Sequence, residues 1–353
     1  MTDPGYFPVH IDFARDRLVF VEADRNRLAS LPFVDGRFPM TDGTAVEIRL
    51  SDALEAHWIK PAGPDRFIFH VAFCGSTLLA TLLDVPGRSF GQREPQLLNI
   101  IADASRSQPA SSVASALGLT RSMLRRPWRA GERNFCKPSN WANNLIPILT
   151  RNPQHIRPLF IVIDSRDYLV AMFRGGRERV EYVYRATRHL LGQGTGDDAL
   201  WEEAMRSPAA GLDVAARIGL ISLHHQLDLF KDALRRGGWT GGNLLSLRQI
   251  EEDPVDACMV AARALGLNIG CADIVGVIDK RASRYAKAPN RSYSPEARRS
   301  LNAQIERDYG RAFDRALDWA AGAGLETDAA SILPFAEAAQ ARNDAARFAG
   351  FVA

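Results

Sequence analysis

Cysteine is scarce and scattered in this chain: four residues, Cys74, Cys136, Cys258 and Cys271, with no CxxC spacing among them. That pattern excludes a zinc ribbon and a disulfide framework and fits a reducing compartment. Long uncharged runs are also missing. The longest stretch without Asp, Glu, Lys or Arg in the first hundred residues, 67–83, is too short for a spanning helix and contains His70, Gly75, Ser76 and Thr77. The start, MTDPGYFPVH, has neither a basic region nor an apolar one, so the sequence predicts no secretory signal, no membrane span and a cytoplasmic protein. Charge of one sign is absent too, since 44 Lys+Arg against 41 Asp+Glu leave a net +3. A protein that coats a polyanion needs more. The one basic run, Lys280 to Arg291, has little aromatic interleaving, so no nucleic-acid partner is expected.

What remains is ordinary globular material: 353 residues, 46% hydrophobic and 24% charged. A chain of this length buries roughly three quarters of its unfolded surface and needs no disulfide or metal staple. Residues 1–60 read as a β-rich N-terminal extension. RLVFVEA and TAVEIRL alternate as strands do, with a turn at VDGRF between them. A break at Pro61-Ala62-Gly63-Pro64 follows. RFIFHVAF and RPLFIVID are apolar runs of strand length, as in strands covered on both faces. Each leads through a small turn into a helical pattern, LLATLLD and SRDYLVAMFRGG. RNFCKP followed by SNWANNLIPILTRN, capped by Ser139, repeats the scheme, and so does GNLLSLRQ before DPVDACMVAARALGLN.

Strands alternating with helices predict an α/β fold with a mostly parallel sheet flanked by helices over 61–325. Residues 177–239 carry only helical patterning, broken at GQGTGDD and SPAAG, and read as a helical insertion or lid. A long helix is expected from Pro295 to about Gly322, and residues 326–353 form an Ala-rich, loosely packed tail.

The turn Phe73-Cys74-Gly75-Ser76-Thr77 lies between a buried strand and a helix start. There backbone N–H groups point outward and the helix dipole favours anions. Gly75 permits close approach, and Ser76 and Thr77 add hydroxyls. Aligned on the Walker A pattern GxxxxGK[ST], His70 stands at the first glycine and Ser76 at the lysine, so two of the four fixed positions fail. That disfavours an ATP or GTP loop, whose lysine reaches the β/γ-phosphates. The plain alternative is a tight βα turn with no ligand.

FHVAFCGSTLLATLL resembles the 5′-phosphosulfate loop of PAPS-dependent sulfotransferases (PAPS is 3′-phosphoadenosine 5′-phosphosulfate), usually written PKSGTTWL or PRSGTTLL. Cys74, Gly75, Ser76, Thr77 and Leu78 match it, and Phe73 replaces the usual cation. IVIDSRDYLVAMF resembles the family's second signature, which binds the 3′-phosphate, with Arg166 on the arginine. The serine usual two turns later is missing, and Arg174 or Arg177 stands in that region. LSLRQIEEDPVDACMVAARALGL is similar to a third segment, and SRYAKAPNRSYSPEAR, with Arg284 and Lys287, to the late basic loop that covers the nucleotide. The likeness runs from about Arg66 to about Ala320.

The resemblance implies transfer of a sulfuryl group from PAPS to a hydroxyl or amine on a small-molecule or peptide acceptor, without metal. PAPS carries anionic groups at both ends, which suits two anion-binding turns at strand C-termini, 73–77 and 164–167. By the same resemblance, Lys137 in CKPS matches a lysine that contacts the sulfuryl or bridging oxygen, and Glu94 in GQREP stands where a carboxylate base is found. Read as residues alone, Lys137 is equally an exposed strand-end lysine and Glu94 a helix-start acid beside Pro95. His70 reads as a core histidine and His224-His225 as a surface and core pair. Two rival functions stay open. One is an ATP-dependent P-loop kinase or phosphotransferase with Asp164 on Mg²⁺. The other is a non-catalytic nucleotide or anion sensor on the same fold.

Overall fold

The structure is a computed structural model that describes residues 3–41, 43–56, 63–192, 198–206, 211–281 and 295–338. It contains two sheets. An antiparallel one has the order β1 (Tyr6–Asp12), β2 (Arg17–Glu22), β3 (Ala45–Arg49), with a register shift between Pro8 and His10. The other is five-stranded and all-parallel: β4 (Asp65–His70), β5 (Ser89–Arg93), β6 (Arg133–Lys137), β7 (Ile156–Val162) and β8 (Leu244–Ser246), in the order β5-β6-β4-β7-β8. The expected α/β class with a helix-flanked parallel sheet and a β-rich N-terminal segment is what the chain adopts.

The two apolar runs became strands for the reason their composition suggested. Phe67–His70 of β4 and Pro158–Val162 of β7 are buried without a gap, as strands covered on both faces must be. Gly91 in β5 has a steric cause: a Cβ there would come 2.5 Å from Cζ of Phe135, its partner on β6.

The chain divides into two compact units. The first comprises Met1–Phe69, Gly75–Leu159 and Ile250–Tyr293. Its N-terminal segment is joined to the parallel strands by buried charge. Arg25 Nη2 lies 3.0 Å from Asp84 Oδ1, its Nε donates to Glu132 Oε1 at 2.8 Å, and a further bond reaches Ser89 O. Arg93, at the end of β5, donates through Nη2 to the carbonyls of Leu28, Ala29 and Leu31 and so caps the helix Arg25–Ser30 at its C-terminus.

The second unit comprises His70–Cys74, Phe160–Gln249 and Ser294–Ala353. It holds the expected helical stretch as Gly176–Leu191, Asp198–Met205 and Gly211–Gly237, and the long helix as Pro295–Gly322. The two predicted breaks fall mainly on 193–197 and 207–210, outside the described residues.

Several elements differ from expectation. SNWANNLIPILTRN is a 3₁₀ turn, Asn140–Leu145, followed by one helical turn, Ile146–Leu149. Pro147 has no N–H with which to continue an α-helix from Ser139, although Ser139 does cap the turn by accepting from Trp141 N. Strand β8 is only three residues long, and the following LRQIEE is helical. The described part of the tail is packed, with Ala329, Ile332 and Ala336 buried and Glu326 paired to Lys231. Strands β1 and β5 and the helices Arg25–Ser30 and Ala110–Leu124 had no counterpart in the sequence reading. None of the described helices is long and apolar enough to cross a membrane.

Candidate functional site

Glu94 follows β5 and Lys137 ends β6, so parallel pairing alone makes them neighbours. Arg93 lies opposite Lys137, and the Glu94 amide donates to the Lys137 carbonyl at 2.6 Å. Their side chains meet as well, with Lys137 Nζ 2.7 Å from Glu94 Oε1. The Lys137 side chain is fully buried, so it is not an exposed strand-end lysine. Burial of an ammonium group is tolerated because a carboxylate faces it directly. Glu94 also sits at φ +58, a left-handed backbone that costs a non-glycine residue free energy and that the surrounding bonds must hold in place.

A third charge comes from a segment to which sequence reasoning assigned no role. Arg37 Nη2 lies 2.9 Å from Glu94 Oε2 and its Nε 2.5 Å from Asp35 Oδ2. Its guanidinium stacks on Phe33 with 4.0 Å to the ring centroid, and Lys137 Nζ is 6.0 Å from the same ring. The segment is pinned by two backbone bonds, Val34 N to Arg93 O and Gln96 N to Val34 O. The Glu94 carboxylate therefore bridges two cations, one buried and one exposed. The only signal for Arg37 was the turn VDGRF, which contains nothing that points to a residue 57 positions later.

The neighbouring strand β4 ends in the turn on which Gly75, Ser76 and Thr77 stand. Gly75 is the N-cap of the helix Ser76–Leu82 at φ +77, with no side-chain cap bond. The first helical N–H groups are thus not met by a side chain of the capping residue. Ser76 and Thr77 are buried, and neither hydroxyl has a hydrogen-bond partner among the described residues. Leu78 is half-buried on the same helix. Cys74 is buried, and its Sγ donates to Val71 O at 2.9 Å. The turn's other left-handed residue is Phe73, at φ +68. Its ring packs against Tyr168, 5.5 Å between centroids, and the guanidinium of Arg179 lies 5.1 Å from the ring centroid. The position that lacks a cation in the sequence therefore has one stacked on its side chain.

The second predicted anion turn is arranged differently. Arg166 donates from Nε and Nη2 to the two oxygens of Glu306, at 3.0 and 2.8 Å, and from Nη1 to Asp314. These carboxylates on the helix Pro295–Gly322 hold the guanidinium firmly protonated. Arg174 donates to Asn302 on the same helix, and exposed Arg177 pairs with Glu181. Asp164 is exposed at the end of β7 as the N-cap of the helix Ser165–Arg174. Arg284 and Lys287 lie in 282–294, outside the described residues.

His70 is buried, with Nδ1 2.9 Å from Val71 O, as a core histidine should be. His225 is buried, while His224 contacts Glu326 and Asp228. Among the described residues no group of three His, Cys, Asp or Glu side chains is arranged to hold a metal ion. Comparison with protein-family models, curated proteins and solved structures finds no match to this chain. The fold defines an α/β protein with a parallel sheet and a charged pair at the C-terminal ends of two of its strands.

Proposed function

We propose that the chain transfers a sulfuryl group from PAPS to a hydroxyl or amine acceptor. The observation that carries this reading is the Lys137–Glu94 pair, a buried cation and a carboxylate at the C-terminal ends of neighbouring parallel strands, one strand from the glycine turn. Ligands of open parallel sheets bind at this edge.

In the proposed reaction the acceptor oxygen or nitrogen attacks the sulfur, and a new bond to sulfur forms. The bond from sulfur to the bridging oxygen of the 5′-phosphate breaks, and that oxygen leaves with the electron pair as part of adenosine 3′,5′-bisphosphate. Glu94 takes the acceptor proton, and Lys137 offsets charge that grows on the transferring and bridging oxygens. Gly75, Ser76 and Thr77 receive the 5′-phosphosulfate through backbone amides and hydroxyls, with Cys74 and Leu78 shaping the turn. Arg166 and Arg174, together with Arg284 and Lys287, serve the 3′-phosphate, so Arg166 exchanges its carboxylate partners for phosphate on binding. No metal takes part.

Calorimetry with adenosine 3′,5′-bisphosphate and with ATP–Mg²⁺ tests the reading. Binding of the bisphosphate, followed by turnover of PAPS with a panel of alcohols, phenols and amines, is the expected result. Metal-dependent ATP binding without bisphosphate binding replaces the reading with a phosphotransferase that uses Asp164. Bisphosphate binding without turnover replaces it with a sensor.

A further inference from the structure

The opposite edge of the parallel sheet has a charge pattern that the proposed reaction does not use. Arg133 is the first residue of β6, and Arg66 and Arg157 are the second residues of β4 and β7. These strands are adjacent in the order β6-β4-β7. Neighbouring strands lie about 4.8 Å apart, so the three starts span roughly 10 Å. Phe67 pairs with Cys136, which aligns Arg66 with Phe135 and puts Arg66 and Arg133 on the same face.

Negative charge at this edge is already spent. Asp65 is buried, and its carboxylate is taken by Arg121 and by Arg125, the latter with Nε at 3.1 Å. Arg66, Arg133 and Arg157 form no ion pair with a carboxylate among the described residues, although the charge of Asp65 is felt at Arg66. Arg66 donates from Nη1 to Pro64 O at 3.1 Å, yet its Nε is buried with no hydrogen-bond partner. Arg133 donates to Gly266 O, and Arg157 lies over Gly266, where a Cβ would stand 3.0 Å from its Cδ and Nε. A shallow recess open to solvent is lined by Asp65, Arg66, Arg121, Arg125 and the buried Asn134, and Arg133 and Arg157 stand outside it. Burial first, and then the charges of Arg133 and Arg157, bring the Arg66 guanidinium down to about 10, against the opposing pull of Asp65. A crowd of like charges around an unmet buried donor signals a missing counter-ion.

We infer that Arg66, Arg133 and Arg157 form a second anion site, which receives a phosphate or sulfate group of a small molecule at the N-terminal edge of the parallel sheet. Arginine forks bind tetrahedral oxyanions with paired hydrogen bonds. A span of roughly 10 Å suits one such group or two linked ones rather than an extended polymer. The ligand relieves the mutual repulsion of the three arginines, so its binding stabilises the folded chain.

The full chain is titrated by calorimetry with pyrophosphate, inorganic phosphate and sulfate at constant ionic strength. Arginine labelling by phenylglyoxal, mapped by peptide mass spectrometry, is run with and without pyrophosphate. Saturable binding and selective protection of Arg66, Arg133 and Arg157 are expected. Arg66→Ala and Arg157→Ala each weaken pyrophosphate roughly tenfold or more, as loss of a charged hydrogen bond should. Arg206→Ala, at an exposed site elsewhere, leaves it unchanged. Arg66→Lys serves where Arg66→Ala fails to fold. Either order of phosphate and sulfate affinity upholds the site and names the source of the group. Labelling that ignores pyrophosphate overturns the inference. So does binding that survives Arg66→Ala and Arg157→Ala but is lost in Lys137→Met, since the ion is then at the other edge of the sheet. The proposed sulfuryl transfer stands or falls separately, on bisphosphate binding.

Discussion

Lys137 and Glu94 are bonded to each other twice, once through the backbone at 2.6 Å from Glu94 N to Lys137 O and once through their side chains at 2.7 Å. The first bond fixes where the Glu94 Cα sits, and the second fixes where its carboxylate points. Glu94→Gln keeps the size of the side chain but removes the base, and it turns an NH₂ donor toward one of the two cations that the carboxylate bridges. A fall in kcat of about 10²- to 10⁴-fold with bisphosphate affinity preserved is expected, read from initial rates and calorimetry. Unchanged kcat removes Glu94 from the proposed mechanism.

Gly75→Ala and Gly87→Ala make an instructive pair. Both glycines have a left-handed backbone, φ +77 and φ +79. Alanine at either position costs about 1–2 kcal/mol of stability, measured by urea unfolding. Only Gly75→Ala should also weaken adenosine 3′,5′-bisphosphate, because only Gly75 belongs to the proposed cradle.

Arg25→Met tests the buried charge network of the first unit. The substitution removes the guanidinium that lies 3.0 and 2.7 Å from the fully buried carboxylates of Asp84 and Glu132, leaving Asp84 with Arg93 at 3.8 Å and Glu132 with no cation within ion-pair distance among the described residues. A loss of about 3–5 kcal/mol is expected, since an uncompensated buried charge is the costliest outcome of breaking such a pair. Thermal unfolding reads it directly.

Asp213 gives a pH dependence of definite sign. Arg315 donates to both of its oxygens at 2.7 Å, and these hydrogen bonds hold the carboxyl below its ordinary 3.8. A group whose pKa is lower in the folded state stabilises that state above the unfolded value. It loses the contribution as pH falls through the folded one. The gap in melting temperature between wild type and Asp213→Asn should therefore be widest at neutral pH and close as the solution is acidified below about pH 4. A gap that grows on acidification would contradict the assignment.

The parallel sheet was legible because β4 and β7 are buried on both faces, and continuous apolar runs such as FIFH and LFIV have few other solutions. The long helix was legible from its Pro start and Gly end at 295 and 322. Strand β5 was not, because SFGQR is short and polar. Its burial depends on Arg93 being met by Leu28, Ala29 and Leu31, and that is a tertiary fact. The same limit applies at the candidate site. Glu94 and Lys137 were each singled out, but only the β5–β6 register brings them together. Arg37 was invisible because nothing local distinguishes it from any arginine in a turn. The arginines at the strand starts were passed over for a similar reason, as they lie far apart in sequence and converge only through the strand order.

Arg93 and Glu94 are consecutive, and they face opposite tasks. One ties the helix Arg25–Ser30 to the end of β5, and the other presents the candidate base. A fragment begun after the proline-rich break at 61–64 would therefore lack three carbonyl acceptors of Arg93, as well as the Arg37 that orients Glu94. Separability in composition and separability in chemistry are different properties here: the first sixty residues look like an appendage, yet the carboxylate cannot be excised from their company.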